Sequence, residues 1–407
     1  MSRLAERTMF TDSLQQSLKN HLAQWGLRRF TSDKAYFHWQ QEMLSPQELT
    51  SLHDHAEKKR KGSPSDEIAF YDLTAHLHIL PVLYSQRYDY YIAIGPLVVA
   101  RIDEARTILD FGCGPGILTT FYARQFPRAR VVGLDRSAGS IAEAQKKAKE
   151  LDLQNVHFEC VDLEATSPVG TYDCIVATHA LVQSEQDQGL PSQSWRTFER
   201  ARDPLRQAEF ERRTGTGARL DRLMAAMPQA GRLIVFEKAR QLARRIPLQR
   251  AFSLRGLQLA EQPVLIRYSL VEEVSDDGPF YVLRKGVGRF VAWDEQPEPD
   301  GGLPFDRARL NPDATDPDTP LYENHWPSAQ QIWEGLKDRQ VTRETIRQEP
   351  DGRQMHVEQG IAEGFAYVYC ANTFDQRQLV MVDPNRSSLV TSYYDEIVTE
   401  NKRSSSG

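Results

Sequence analysis

Residues Asp110-Phe111-Gly112-Cys113-Gly114-Pro115-Gly116 decide how this chain of 407 residues is read. The run follows a short apolar stretch with strand character, Thr107–Phe111, and precedes one with helical spacing, Leu118–Gln125. Glycines at such a turn let the backbone take dihedrals that a β-carbon forbids and pass close to a bound molecule. A dinucleotide-binding turn places its third glycine one position later, where this chain has Ile117, so the spacing here is G-x-G-x-G. That spacing suits a ligand without a pyrophosphate, one that brings an adenosine and an amino-acid tail past the turn.

Outward from this loop, short apolar runs alternate with amphipathic segments from Arg106 on, the pattern of a parallel α/β sheet. Strands are expected at Thr107–Phe111, Arg130–Leu134, Val156–Val161, Tyr172–Thr178 and Arg232–Glu237, and helices at Leu118–Gln125, Ile141–Leu151 and Leu220–Met227. Pro263–Glu272 and Phe280–Arg284 flank Ser275-Asp276-Asp277-Gly278 and read as an antiparallel hairpin closing the sheet. Asp135 ends the second strand, where a carboxylate can accept hydrogen bonds from both hydroxyls of a ribose. Asp162 follows the third and suits an adenine amino group, with Leu163 against the ring. Singly, each glycine marks a turn and each aspartate a helix or turn cap. Together they fall at the carboxyl ends of consecutive parallel strands, where open α/β sheets bind ligands.

With the fourth-strand run Tyr172-Asp173-Cys174-Ile175-Val176-Ala177 and the fifth-strand run Gly231-Arg232-Leu233-Ile234-Val235-Phe236-Glu237, these residues resemble the class I S-adenosylmethionine-dependent methyltransferases over about Thr107 to Lys285. The resemblance implies a Rossmann-like α/β fold with a seven-stranded sheet and a reversed last strand. It also implies S-adenosyl-L-methionine as cofactor, S-adenosyl-L-homocysteine as product, and no metal. Cofactor contacts are then expected from Asp110, Gly112, Cys113, Gly114, Gly116, Asp135, Arg136, Asp162, Leu163 and Thr178. One departure is Pro228-Gln229-Ala230-Gly231, where many relatives carry two glycines. The family often places acceptor contacts just after the fourth strand, here Ala177-Thr178-His179-Ala180, which makes His179 the candidate general base because its ordinary pKa lies near neutrality. The alternative for His179 is packing beside the cofactor. No Asn/Asp-Pro-Pro-Tyr/Phe loop, no Pro-Cys nucleophile and no glutamate spaced to partner Glu185 occurs, which disfavours nucleobase and arginine methylation. The expected acceptor is an oxygen or nitrogen on a small molecule or natural product. A peptide or protein acceptor is the alternative within enzymes, and a noncatalytic protein that binds the cofactor or its product is the alternative of another class.

The flanks carry no motif of their own. At about 100–200 residues per domain the length suggests two or three domains. They are read as a helical N-terminal region over 1–105, the methyltransferase domain over 106–286 and a C-terminal α+β accessory domain over 287–407. The 17 Phe, 15 Tyr and 6 Trp exclude disorder. In the N-terminal region Leu14, Leu18, Leu22 and Trp25 repeat at helical spacing, and the polar stretch Glu57 to Asp66 reads as a loop or lid. An aromatic block from Phe70 to Tyr91 follows, and Tyr88 and Tyr91, with Trp195, are the candidates for acceptor contacts. Near the other end, Glu295 to Asp318 reads as a linker, followed by a helix at Ser328–Asp338, strands near Val341–Gln348, Met355–Gln359, Phe365–Cys370 and Gln378–Val382, and a disordered end from Lys402.

The net charge of -6 argues against a globally basic nucleic-acid binder. That value averages a local +9 over Arg196–Arg255, within and beyond a long insertion at Gln183 to Gly217, and a local -8 over Asp294–Asp351. The two are read as docking surfaces for each other, as a pull on an acidic substrate, or as solvated helix faces. No apolar run is long enough to span a membrane, and Cys113, Cys160, Cys174 and Cys370 form no CxxC pair, so a soluble cytoplasmic protein with reduced cysteines is expected.

Overall fold

Strands buried on both faces need apolar residues at successive positions, and the runs around the glycine loop supply them. The computed structural model describes residues 3–403 apart from 62, 183–186, 272, 287–289, 308–318 and 350–351. Two compact units result, one made of Met1–Asp187, Glu211–Arg240 and Leu248–Trp293, the other of Gln188–Phe210, Gln241–Pro247 and Asp294–Gly407.

In the first unit β1 (Thr107–Phe111), β2 (Arg130–Asp135), β3 (Val156–Cys160), β4 (Cys174–Thr178) and β5 (Arg232–Phe236) are parallel. They are joined by β6 (Leu257–Leu259), β7 (Val264–Leu270) and β8 (Glu273–Lys285). Seven strands follow the path β3-β2-β1-β4-β5-β8-β6, and β7 pairs with the other end of β8. β8 runs antiparallel to β5, the reversed strand that the resemblance implies. Because β2 and β4 both neighbour β1, the strand order switches direction there, and a crevice forms at the carboxyl ends of β1 and β4.

Six helices precede the sheet: α1 (Arg3–Gln24), α2 (Asp33–Met43), α3 (Pro46–Lys61), α4 (Pro64–Thr74), α5 (Leu80–Ser85) and α6 (Tyr88–Ile102). Within and after it come α7 (Ile117–Gln125), α8 (Ala138–Glu150), α9 (Pro204–Arg213), α10 (Thr216–Ala225) and α11 (Leu242–Leu254). The heptad-like run Leu14, Leu18, Leu22 and Trp25 packs with Ile94 and Val98 of α6 and Phe121 of α7 over one sheet face, which contributes Ile108, Val131 and Val176. Successive strand residues point to opposite faces, so Leu109, Val132, Ile175 and Val235 meet Leu220, Leu223 and Phe252 on the other side. No helix among the described residues is long and apolar enough to cross a membrane.

Two expectations in this unit are corrected. The stretch Glu57–Asp66 is not a loop: α3 continues to Lys61, and Ser63 with Asp66 forms a capping box that starts α4 at Pro64. Its Ser, Pro and Asp are helix-start chemistry. The hairpin does not turn at Ser275–Gly278, because Leu270 pairs with Glu273 and the four residues continue β8; Glu272 lies outside the described residues. Gly278 is there for close packing, since a β-carbon on it would sit 1.9 Å from the carbonyl oxygen of Glu237.

The second unit is built on an antiparallel sheet of β9 (Tyr322–Asn324), β10 (Gln340–Gln348), β11 (Gln354–Ala362), β12 (Phe365–Asn372) and β13 (Arg377–Val382), in the order β10-β11-β12-β13-β9. α12 (Ser328–Gly335) covers one face through Ala329 and Trp333, and α13 (Ser387–Arg403) the other through Val390 and Tyr394. Helix α13 was not anticipated, and it takes in Lys402 and Arg403, which were expected to be disordered; 404–407 lie outside the described residues. Of the expected linker Glu295–Asp318, the described part up to 307 has no helix or strand, and 308–318 lie outside the described residues. The charge asymmetry appears inside this unit in the ion pair of Arg245 with Glu298 at 2.9 Å; Arg200 pairs instead with Asp375, beyond the acidic segment and nearly buried.

Gly278→Ala is expected to cost about 2–4 kcal/mol, because the displaced neighbour is backbone and not a flexible side-chain tip. Urea denaturation checks this, and a loss under about 0.5 kcal/mol would refute the close-packing account.

Candidate active site

The loop after β1 is pinned by the next strand. The Gly112 and Cys113 N–H groups both donate to the Leu134 carbonyl, at 2.8 and 3.0 Å, and Gly116 N–H donates to Cys113 O at 3.0 Å. Gly112, Gly114 and Gly116 have φ of 71°, 52° and 84°. Packing demands two of them: a β-carbon on Gly112 would lie 2.4 Å from that of Ala180, and one on Gly116 would lie 2.9 Å from the Phe158 ring. Gly114 is different. Among the described residues, only the Tyr84 hydroxyl comes within 4 Å of its missing β-carbon, at 3.9 Å.

Asp135 at the end of β2 closes this loop. Its carboxylate accepts from Gly114 N–H at 2.8 Å and Ser137 N–H at 2.9 Å. Burial raises its pKa, and those two N–H groups work in the opposite direction. Ser137 caps α8 through Ser140 N–H and donates its hydroxyl to Asp72 of α4 at 2.7 Å; Asp72 also accepts from Gly139 N–H at 2.9 Å. Arg136 pairs with Glu67, also on α4. Sequence reasoning missed Asp72 and Glu67, since nothing in a helix some 65 residues upstream marks its acids as partners of this turn.

The other cofactor candidates divide. Beneath the loop, Asp110 is buried and accepts from the Thr119 hydroxyl at 2.6 Å; burial raises it to about 7, and the charge of Asp135 pushes the same way. Burial also lifts the Cys113 thiol far above its ordinary value, leaving an unreactive packing group. Asp162 is exposed and accepts from Glu164 N–H at 2.8 Å, a local turn, while the Leu163 side chain is buried in the core. Thr178 is hydrogen-bonded to the side chain of Tyr90.

Beyond β4, His179 holds a φ of 54° and donates its N–H to Phe236 O at 2.8 Å. Its ring stacks on Tyr90 and Phe236 with centroids 5.0 and 5.1 Å away, and its Nε2 lies 3.5 Å from the Tyr268 hydroxyl. Burial holds its pKa well below the ordinary value, and Arg87, Lys238 and Lys59 act in the same direction. Glu237 fixes the turn by accepting from Ala180 and Leu181 N–H, at 2.9 and 2.6 Å. Tyr91 is buried edge-on to Tyr90, and Tyr88 is half-buried on the same core. Tyr90 falls within the aromatic block from Phe70 to Tyr91, whereas Tyr268 and Arg87 carried no signal of their own in the sequence. Trp195 belongs to the second unit, where its ring stacks at 3.8 Å on His356. Glu185 lies outside the described residues.

Two other features are set apart from this chemistry. A cavity of about 580 Å³ lined by Arg101, Asp103, Arg232 and Arg284 sits at the opposite ends of the parallel strands. In the second unit Glu344, His356 and Glu358 bring ligand atoms within 4.8 Å of one another, where no metal was expected. There the Trp333 indole and the Tyr367 hydroxyl already donate to Glu358 Oε1, at 3.1 and 2.5 Å.

Residues 108–198 match the methyltransferase domain family. Trans-aconitate 2-methyltransferase of Azoarcus sp. (strain BH72) is 38% identical over 82 residues, 20% of this chain and 30% of its own. Malonyl-[acyl-carrier protein] O-methyltransferase of Priestia megaterium is 39% identical over 84 residues, 21% of this chain and 30% of its own. The chain thus spans about a third of the length of these curated relatives. Among solved structures, magnesium protoporphyrin IX methyltransferase of Synechocystis PCC 6803 with bound SAM is 16% identical over 57% of this chain and 91% of that one, with a TM-score of 0.33.

The raised Asp110 carboxyl has a stability consequence. Its folded form keeps a proton that the unfolded chain releases, so wild-type stability falls as pH rises from about 4 to about 7. Asp110→Asn carries no such proton, and its stability relative to the wild type is expected to grow by about 2 kcal/mol between pH 5 and pH 8 in denaturation curves. A pH-independent difference would contradict the buried carboxyl.

Proposed function

We propose that this chain, which carries a class I methyltransferase domain, uses S-adenosyl-L-methionine to methylate an oxygen or nitrogen of a small molecule. The observation that supports this reading is Gly114: among the described residues only the Tyr84 hydroxyl comes within 4 Å of its missing β-carbon, while its N–H is tied to the carboxylate at the tip of the neighbouring strand. The residues present suit the cofactor. An ionised carboxylate has about four acceptor sites, so Asp135 keeps two for ribose hydroxyls after serving Gly114 and Ser137. The positive-φ turn leaves no side chain at Gly114 to block a bound adenosine or its amino-acid tail. The relative named as an O-methyltransferase favours an oxygen acceptor.

When bound, the cofactor would supply an electrophilic methyl group, which the acceptor takes in line as the sulfur leaves with the bonding pair as the thioether of S-adenosyl-L-homocysteine. The chain's own work is positioning and proton handling. Tyr90 and Phe236 hold the His179 ring from its two stacking partners, and Tyr268 lies at hydrogen-bond range of Nε2. Because burial and three nearby cations keep His179 neutral at physiological pH, its nitrogen is available to take a proton from an acceptor hydroxyl as the new bond forms, or from an acceptor ammonium before it forms. Asp72 and Glu67 of α4 would steady the ribose-binding turn without touching the ligand.

Asp135→Ala is expected to weaken S-adenosyl-L-homocysteine binding by about 30- to 1,000-fold in calorimetry, the loss of two charge-assisted hydrogen bonds. Wild-type affinity in that variant would refute the ribose assignment. If His179 is the base, the acid limb of kcat/KM against pH falls below the ordinary histidine range, since the group stays deprotonated until the pH drops under its lowered pKa. An acid limb at about 6.5 that vanishes in His179→Gln would show instead that the imidazole titrates as if exposed.

A further inference from the structure

In the transfer described above Arg87 only helps to keep His179 neutral and touches no ligand, and its placement is costly. It is half-buried and occupies the N-cap position of α6, a helix of 15 residues. A guanidinium stays protonated at physiological pH, and a desolvated one is ordinarily paired with a carboxylate. Among the described residues its side chain forms no ion pair, hydrogen bond or ring contact. The groups that act on its charge are phenols, those of Tyr71, Tyr91, Tyr84 and Tyr268. Burial lifts Tyr84 and Tyr91 above their ordinary values, so at neutral pH they contribute hydroxyl groups and no negative charge.

The surroundings give the site a direction. At the junction of α5 and α6, Arg87 N–H donates to Tyr84 O at 3.1 Å, its carbonyl accepts from Tyr91 N–H at 3.2 Å, and Tyr90 in the first turn of α6 stacks on His179 at 5.0 Å. Tyr84 reaches toward the open side of Gly114, and Tyr268 lies 3.5 Å from His179 Nε2. Arg87 is the first of the charges that act on His179, whereas the side-chain charge acting on Asp135 is that of Arg136. Its charge is therefore felt at the proposed base. A planar guanidinium without a partner, bordered by neutral hydroxyls and with Lys59 and Lys238 adding charge of the same sign, suits a carboxylate.

Resting on the methyl-transfer reading, we propose that Arg87 binds a carboxylate of the methyl acceptor, so that the acceptor is a small organic acid. The test uses the full chain with methyl-labelled S-adenosyl-L-methionine and a metabolite extract divided by anion exchange into retained and unretained fractions. Labelled product is expected from the retained fraction, with mass spectrometry identifying a carboxylic acid or its methyl ester. Arg87→Gln should raise the KM for that acceptor about 10- to 100-fold and lower kcat less, with Arg87→Lys intermediate. S-adenosyl-L-homocysteine affinity should stay within about twofold in both variants, which also shows that they fold. Label only from the unretained fraction, a labelled product without a carboxyl group, or an unchanged KM in Arg87→Gln overturns this inference and leaves methyl transfer standing. Arg87→Gln that weakens S-adenosyl-L-homocysteine but not 5′-methylthioadenosine, which lacks the carboxylate, overturns it too, because Arg87 would then hold the cofactor's tail. No label from either fraction refutes the transfer reading itself.

Discussion

The hydrogen bond from Gly114 N–H to Asp135 joins the turn after β1 to the tip of β2, and the rest of the candidate site depends on it. Two parallel strands side by side leave their outgoing turns to find their own polar partners. Here the carboxylate at one tip satisfies the backbone of the other and of its own turn at Ser137. That arrangement holds the glycine turn open at Gly114 while Gly112 and Gly116 are packed tight against Ala180 and Phe158. The loop is thus rigid at both ends and accessible in the middle.

Around that junction the charges are unevenly distributed. Acidic groups gather under the loop, where Asp110 and Asp135 raise each other's cost of ionisation and Thr119 offsets part of it for Asp110. Positive groups gather around His179, where Arg87, Lys238 and Lys59 keep the imidazole neutral. A proton acceptor flanked by cations is poor at holding a proton and good at passing it on, which suits a step in which the proton leaves with the acceptor's change of charge. The helices before the sheet shape both regions: α4 braces the β2 turn through Asp72, and the turn into α6 supplies Arg87.

Much of this was legible in the chain. The glycine turn, the five parallel strands and the positions of Asp135 and His179 follow from local patterns, because strand burial and positive-φ turns constrain residue type at the residue itself. Readings failed where a local signal serves a different purpose in context. Ser275–Gly278 has turn composition, yet Gly278 is needed against Glu237, and Glu57–Asp66 has loop composition, yet its Ser63 and Asp66 start a helix. Helix α13 went unread although Val390, Tyr394 and Ile397 carry its spacing. Trp195, read as an acceptor contact, has its ring against His356 in the second unit.

By itself the sequence determined the sheet, its switch point and the class of ligand that its turn suits, since each rests on spacing within about 30 residues of the glycine loop. Tertiary structure alone decided the company each group keeps. It brought Asp72 to Ser137 from a distant helix, stacked Tyr90 on His179, and placed the half-buried Arg87 among tyrosines. Such pairings depend on how far a side chain reaches once the helices have packed, and no periodicity along the chain encodes the partner's identity.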